Sequence, residues 1–182
     1  MKGKAIFFRI LSWLVLVQPM LAEAHPLHWA TESIGFFGGL IHPITSIEHV
    51  FTMLAVGLWM SPGSRQTIYF MPVMFVTLML VGGSLTLIPL EIAHAEMLMN
   101  LSVLILGLML VLGGKATSPL SALAVANVAV FHGYLHAYDM LLDVDAIAYT
   151  VGFALATLVL IAAGMATRCV FNRFELKYSV ER

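Results

Sequence analysis

Three groups of ligand-type side chains interrupt an otherwise apolar chain. His42, Glu48 and His49 lie in Ile41-His42-Pro43-Ile44-Thr45-Ser46-Ile47-Glu48-His49, inside an apolar run from Ile34 to Met60. His132, His136 and Asp139 close a second run. Glu96 opens a third, with His94 two residues before it and Asn100 one turn deeper. A charged group at bilayer depth costs about 2.5–3.5 kcal/mol even on the mildest insertion scale, so residues kept there point to use. Imidazole with carboxylate is a ligand set that suits divalent nickel, cobalt or zinc. His132 and His136 are spaced i,i+4 and Asp139 follows three later, so one helix face carries all three. That is the grip of a two-imidazole, one-carboxylate metal site. Met53 and Met140 stand near enough to these clusters to act as soft ligands.

The elements that must position these groups are membrane helices. The 182 residues are 60% hydrophobic and 10% charged, where a soluble domain carries about 25% charged residues. Mean hydropathy is +0.95. Five apolar runs, at about 34–60, 67–89, 96–113, 119–140 and 146–170, are each near the ~20 residues a crossing helix needs. Lipid leaves helices as the only structure that satisfies the backbone of such runs. The expectation is an all-α, polytopic bundle of five transmembrane helices. Gly35, Gly38, Gly39 and Pro43 interrupt the first run, and Thr45 with Glu48 has capping-box spacing for a fresh helix start at Ile47. The first span is therefore expected to be broken, giving six helical pieces. Transporters use such breaks as binding sites.

Residues 1–24 read as a cleaved signal peptide. Lys2, Lys4 and Arg9 precede a short apolar core, and Ala22-Glu23-Ala24 supplies a cleavage signal. Residues 25–182 then form a single transmembrane domain that begins at His25. Its free α-amine and imidazole can chelate a metal, whereas Pro26 lacks the amide proton that deeper backbone chelation needs. With the mature N-terminus outside, Arg65, Lys115, Arg168, Arg173, Lys177 and Arg182 all fall inside. Glu32, Glu48, Glu91, Glu96, Asp139, Asp143 and Asp145 fall outside or in the outer half, as the positive-inside rule predicts. This places the N-terminus in the periplasm and the C-terminus in the cytoplasm of a bacterial inner membrane.

The lone cysteine, Cys169, excludes an intrachain disulfide and a thiolate cage. No basic patch, phosphate loop or heptad repeat is present, so nucleic acid is not an expected partner. The metalloenzyme signature His-Glu-x-x-His is also missing, and the chain is read as a non-enzyme. Paired helix histidines would also suit a haem-binding membrane protein.

At these residues the chain resembles the HupE/UreJ family of small permeases linked to hydrogenase and urease maturation. The family pattern His-Pro-x-x-Gly-x-Asp-His is matched by His42-Pro43-Ile44-Thr45-Ser46-Ile47-Glu48-His49, followed by Met53-Leu54-Ala55-Val56-Gly57. Phe-His-Gly-x-x-His-x-x-Glu is matched by Phe131-His132-Gly133, His136 and Asp139. Glu96 before Leu101-Ser102-Val103, and Gly152-Phe153-Ala154-Leu155-Ala156-Thr157, also correspond. Glu48 and Asp139 exchange the family's usual acids, Ser46 replaces a glycine, and Ile161 stands where a histidine is common. The resemblance implies an inner-membrane permease for Ni2+, with Co2+ as second metal, and no tightly bound cofactor. It implies metal ligands among His25, His42, Glu48, His49, Glu96, His132, His136 and Asp139. The bilayer and the metal ion are the implied partners, and a homo-oligomer is compatible. A metal sensor or accessory subunit is the alternative role.

Overall fold

The computed structural model describes residues 35–60, 65–88, 91–111, 119–140 and 145–180. The signal-peptide reading and His25 lie outside them. Among the described residues every regular element is helical. In chain order these are α1 (Phe36–Thr45), α2 (Ile47–Trp59), α3 (Arg65–Ser84), α4 (Ala95–Val111), α5 (Pro119–Met140) and α6 (Ala146–Val180). A single 3-10 turn, Leu85–Leu87, extends α3.

The first run breaks where expected. α1 and α2 meet at Ser46 and are bent by 80°. Pro43, inside α1, has no N–H to donate, which weakens the last turn. The Thr45 hydroxyl donates to the carbonyls of Ile41 and His42, both at 3.2 Å, and so closes α1. A Thr45–Glu48 capping box is not formed. Ser46 takes the extended N-cap conformation, without a side-chain cap bond.

Three spans are long and apolar enough to cross a membrane: Ile68–Leu87, Pro119–Ala137 and Ala146–Arg173. The bent α1–α2 pair is a fourth, while the apolar segment Ala95–Leu110 is shorter. Outward-facing side chains such as Phe37, Tyr69, Leu87 and Ile147 are large, apolar and exposed. That surface, apolar outside as well as in, fits a multi-pass membrane protein.

Close backbone approach holds the bundle together. A Cβ on Gly39 would run into the Tyr149 carbonyl, and one on Gly152 into the Phe36 carbonyl, so α1 lies directly on the start of α6. Gly57 meets Ile161 and Gly164 in the same way, and α2 therefore follows α6 along its length. Gly133 of α5 lies against Met79 of α3. α4 packs mainly on α5. Small residues at such crossings are how membrane helices pack closely without a hydrophobic drive between them. Gly35 opens α1 at φ 76°, a conformation glycine adopts at little cost.

Candidate metal centre

The break at Ser46 creates the site. On a continuous helix His42 and His49, seven residues apart, would be separated by about 10 Å along the axis. The bend instead folds them together, with ring centroids 5.2 Å apart. α5 brings a third imidazole from the other side. His136 lies 4.4 Å from His49 and 5.3 Å from His42, centroid to centroid. One ligand nitrogen from each of the three lies within 4.8 Å of the others, which is close enough to grip one ion.

His49 is the centre of the group. It is 4% exposed, and its Nε2 sits 2.5 Å from Nε2 of His136. Two imidazole nitrogens at that distance share one proton, without which they repel; a metal ion held at about 2.1 Å from each needs them to part to about 3 Å. Its other nitrogen, Nδ1, pairs with the Ser46 hydroxyl at 2.8 Å. Such an outer contact orients the ring and aims Nε2 at the site. Phe153 of α6 forms the wall, 5.1 Å from His136, 5.7 Å from His49 and 5.9 Å from His42. A cavity of about 420 Å³ adjoins the cluster between α3, α5 and α6, with His136, Gly133 and Phe153 in its lining. Ser46→Ala tests the outer contact. The affinity of the purified protein for a divalent transition-metal ion, read by calorimetry, should fall about tenfold, the low end for loss of such a partner.

The other expected residues are placed as follows. His132, one turn along α5 from His136, is 2% exposed and its ring lies 4.9 Å from His49. The two histidine pairs that the sequence shows separately thus form one cluster of four rings. Glu48 is half-buried in the first turn of α2, where the helix dipole favours an acid, and stands outside the three-imidazole group. Glu96 is exposed on the first turn of α4, also outside the group. Asp139 lies on the last turn of α5, with its side chain outside the described ones. Met53 belongs to the apolar core. Sequence reasoning missed Ser46 and Phe153. Ser46 carried one usable signal, a hydroxyl three residues before a histidine at a helix start.

The family model "HupE / UreJ protein" matches residues 13–181. Protein HupE of Rhizobium leguminosarum bv. viciae is 32% identical over 151 residues, covering 82% of this chain and 77% of that protein. No solved structure matches the chain. With nearly its whole length matched, the chain belongs to the HupE / UreJ protein family.

Proposed function

We propose that the chain is an inner-membrane permease for Ni2+, with Co2+ as its second metal, supplying hydrogenase or urease maturation. The observation that carries this reading is the His42–His49–His136 triad. Three imidazoles with no thiolate make a borderline ligand set that favours nickel, cobalt, copper or zinc over magnesium or calcium. Three ligands rather than a closed cage suit a carrier, since the ion must also leave.

The position of the triad supports entry from the periplasm. α3, α5 and the start of α6 meet around the cavity beside His136, so the triad lies toward that end of the bundle. Arg65, Arg168, Arg173 and Lys177 belong to the opposite end by their places in α3 and α6, and basic residues mark the cytoplasm. Acidic residues near the triad end would raise the local cation concentration.

The bent pair reads as one crossing rather than a re-entrant loop. Gly35 lies against Asp145 and Gly57 against Gly164 and Met165. Between those levels α6 rises about 30 Å, the thickness of the hydrocarbon core. With α4 as a short span this gives five crossings. A locally thinned bilayer accommodates the shorter helix.

Haem binding fits less well. A macrocycle must sit between its two axial imidazoles, and here Nε2 of His49 and His136 are 2.5 Å apart. Uptake of radioactive nickel by cells expressing the chain tests the permease. Uptake should be blocked by excess cobalt and not by magnesium. No uptake, from protein shown to be in the membrane, would replace the permease with a sensor or accessory subunit.

A further inference from the structure

Three buried polar side chains lie one helical turn beneath the triad, on three of the four helices that build and wall it. α2 and α6 run away from the connection between α5 and α6, whereas α5 runs toward it. One turn deeper therefore means a higher number on α2 and α6 and a lower number on α5. Thr52 follows His49 by three residues, Thr157 follows Phe153 by four, and His132 precedes His136 by four. Their exposures are 0%, 0% and 2%. His132 also keeps ring contact with the triad through His49 at 4.9 Å.

One atom of this layer is unpaired among the described residues: Thr157 Oγ1. A helical threonine ordinarily donates to the carbonyl four residues back. Thr77, Thr150 and Thr167 do so here, at 2.8, 2.7 and 2.8 Å. Thr157 does not. A buried hydroxyl left unpaired is destabilising, and a fold that retains one has a use for it or a ligand that meets it.

The next turn down is closed. Val56, Ile161 and Val128, each four residues further along its helix, are all 0% exposed. The order from the triad inward is thus imidazoles, then hydroxyls with one imidazole, then an apolar plug. Apolar constrictions of this kind gate by excluding water. By rise along α6, Thr157 lies about 17 Å from the start of the helix, near mid-bilayer.

We propose that Thr52, His132 and Thr157 form a second station that takes over a divalent cation of nickel or cobalt size from the triad, together with the water it retains. This rests on the permease reading. Hydroxyls are weak ligands for a bare transition ion but good hydrogen-bond partners for its bound waters. The layer therefore holds the ion through its hydration shell, more loosely than the triad does. A loosely held second position lets the ion leave the imidazoles before the plug opens.

The test is Thr157→Val, close to isosteric and lacking only the hydroxyl, in sealed vesicles loaded with radioactive nickel outside. Maximal uptake should fall about tenfold with half-saturating nickel unchanged, because the contact is made in passage and not in capture. Nickel binding to the detergent-solubilised variant should match wild type, its thermal stability should be equal or higher, and Thr157→Ser should restore transport. Thr52→Val carries the same expectation for uptake and nickel binding, though not for stability because its hydroxyl is already partnered, and it decides the matter where Thr157→Val fails to accumulate. Wild-type uptake rates in these variants would overturn the second station alone and mean that the hydroxyls hold structural water only. Loss of nickel binding in step with uptake would also overturn it. Wild-type vesicles that take up no nickel would overturn the permease reading and the station with it.

Discussion

His49→Ala is expected to abolish high-affinity nickel binding and, with it, uptake at low nickel. His49, like His136, touches all the other rings of the cluster, and it is the one that α2 supplies. It faces His42 at 5.2 Å, His136 at 4.4 Å and His132 at 4.9 Å. Its removal leaves His42 and His136 without the group that links α2 to the site. Loss of an outer contact to a ligand typically costs 10–100-fold in metal affinity, so loss of the central ligand should cost more than about 100-fold. Because the residue is 4% exposed, alanine also opens a cavity, and packing loss must be told apart from ligand loss. His49→Phe does that: it refills the volume and supplies no nitrogen. Calorimetric titration of both variants with nickel should show the same loss, with stability recovered only in the phenylalanine variant. His94→Asn is the control. His94 is exposed, and asparagine tolerates its φ of 59°. Nickel binding by His49→Phe at wild-type affinity would move the metal away from the triad.

Much of the architecture was legible because membrane helices leave few choices. The apolar runs become helices at nearly the expected limits, and α2 begins at Ile47. The reason for that start was misread. The Thr45 hydroxyl ends α1 through Ile41 and His42, and Ser46 serves His49 rather than a cap. Both are short-range choices among equally good partners, and spacing alone does not rank them. α6 also runs on to Val180, past the expected limit of 170. Beyond the apolar run, Phe174-Glu175-Leu176-Lys177 offers good helix formers and nothing that breaks the turn.

The site was legible in its ligand types but not in its assembly. Two histidine pairs on separate runs read as two clusters, and nothing in a linear pattern shows that α5 lies against the α1–α2 break. Glycines that meet carbonyls seat α5 on α3 and the broken pair on α6, a matching that a single sequence does not display. The acids illustrate the same limit. Glu96 shares an outer position with the triad in chain order, yet α4 packs mainly on α5, and Glu96 is left exposed. Thr52 and Thr157 were invisible for a different reason. A threonine in an apolar helix usually bonds its own backbone, and only burial with an unpaired Oγ1 sets Thr157 apart.

Gly133→Ala should destabilise the protein and weaken nickel binding, although helix propensity alone predicts the reverse. Gly133 lies inside α5, where replacing glycine by alanine is worth about 1 kcal/mol in favour of the helix. Against this stands the seam with α3. A Cβ at Gly133 would overlap the Met79 carbonyl and sit 3.0 Å from the Gly83 nitrogen. These are backbone atoms, which cannot rotate aside, so α3 and α5 must separate. Overpacking of this kind costs about 1–3 kcal/mol, enough to outweigh propensity. The separation also displaces the two histidines that flank Gly133, His132 and His136, and so opens the triad. Gly83→Ala on the facing helix is the matched comparison. Its Cβ would meet Ala137 Cβ and the Gly133 carbonyl at 3.3 Å, a clash relieved by a few tenths of an ångström. Thermal unfolding in detergent and nickel titration should therefore separate the pair, with Gly133→Ala impaired in both and Gly83→Ala close to wild type. If Gly133→Ala matched wild type in both, the α3–α5 seam would not be what holds His136 against His49.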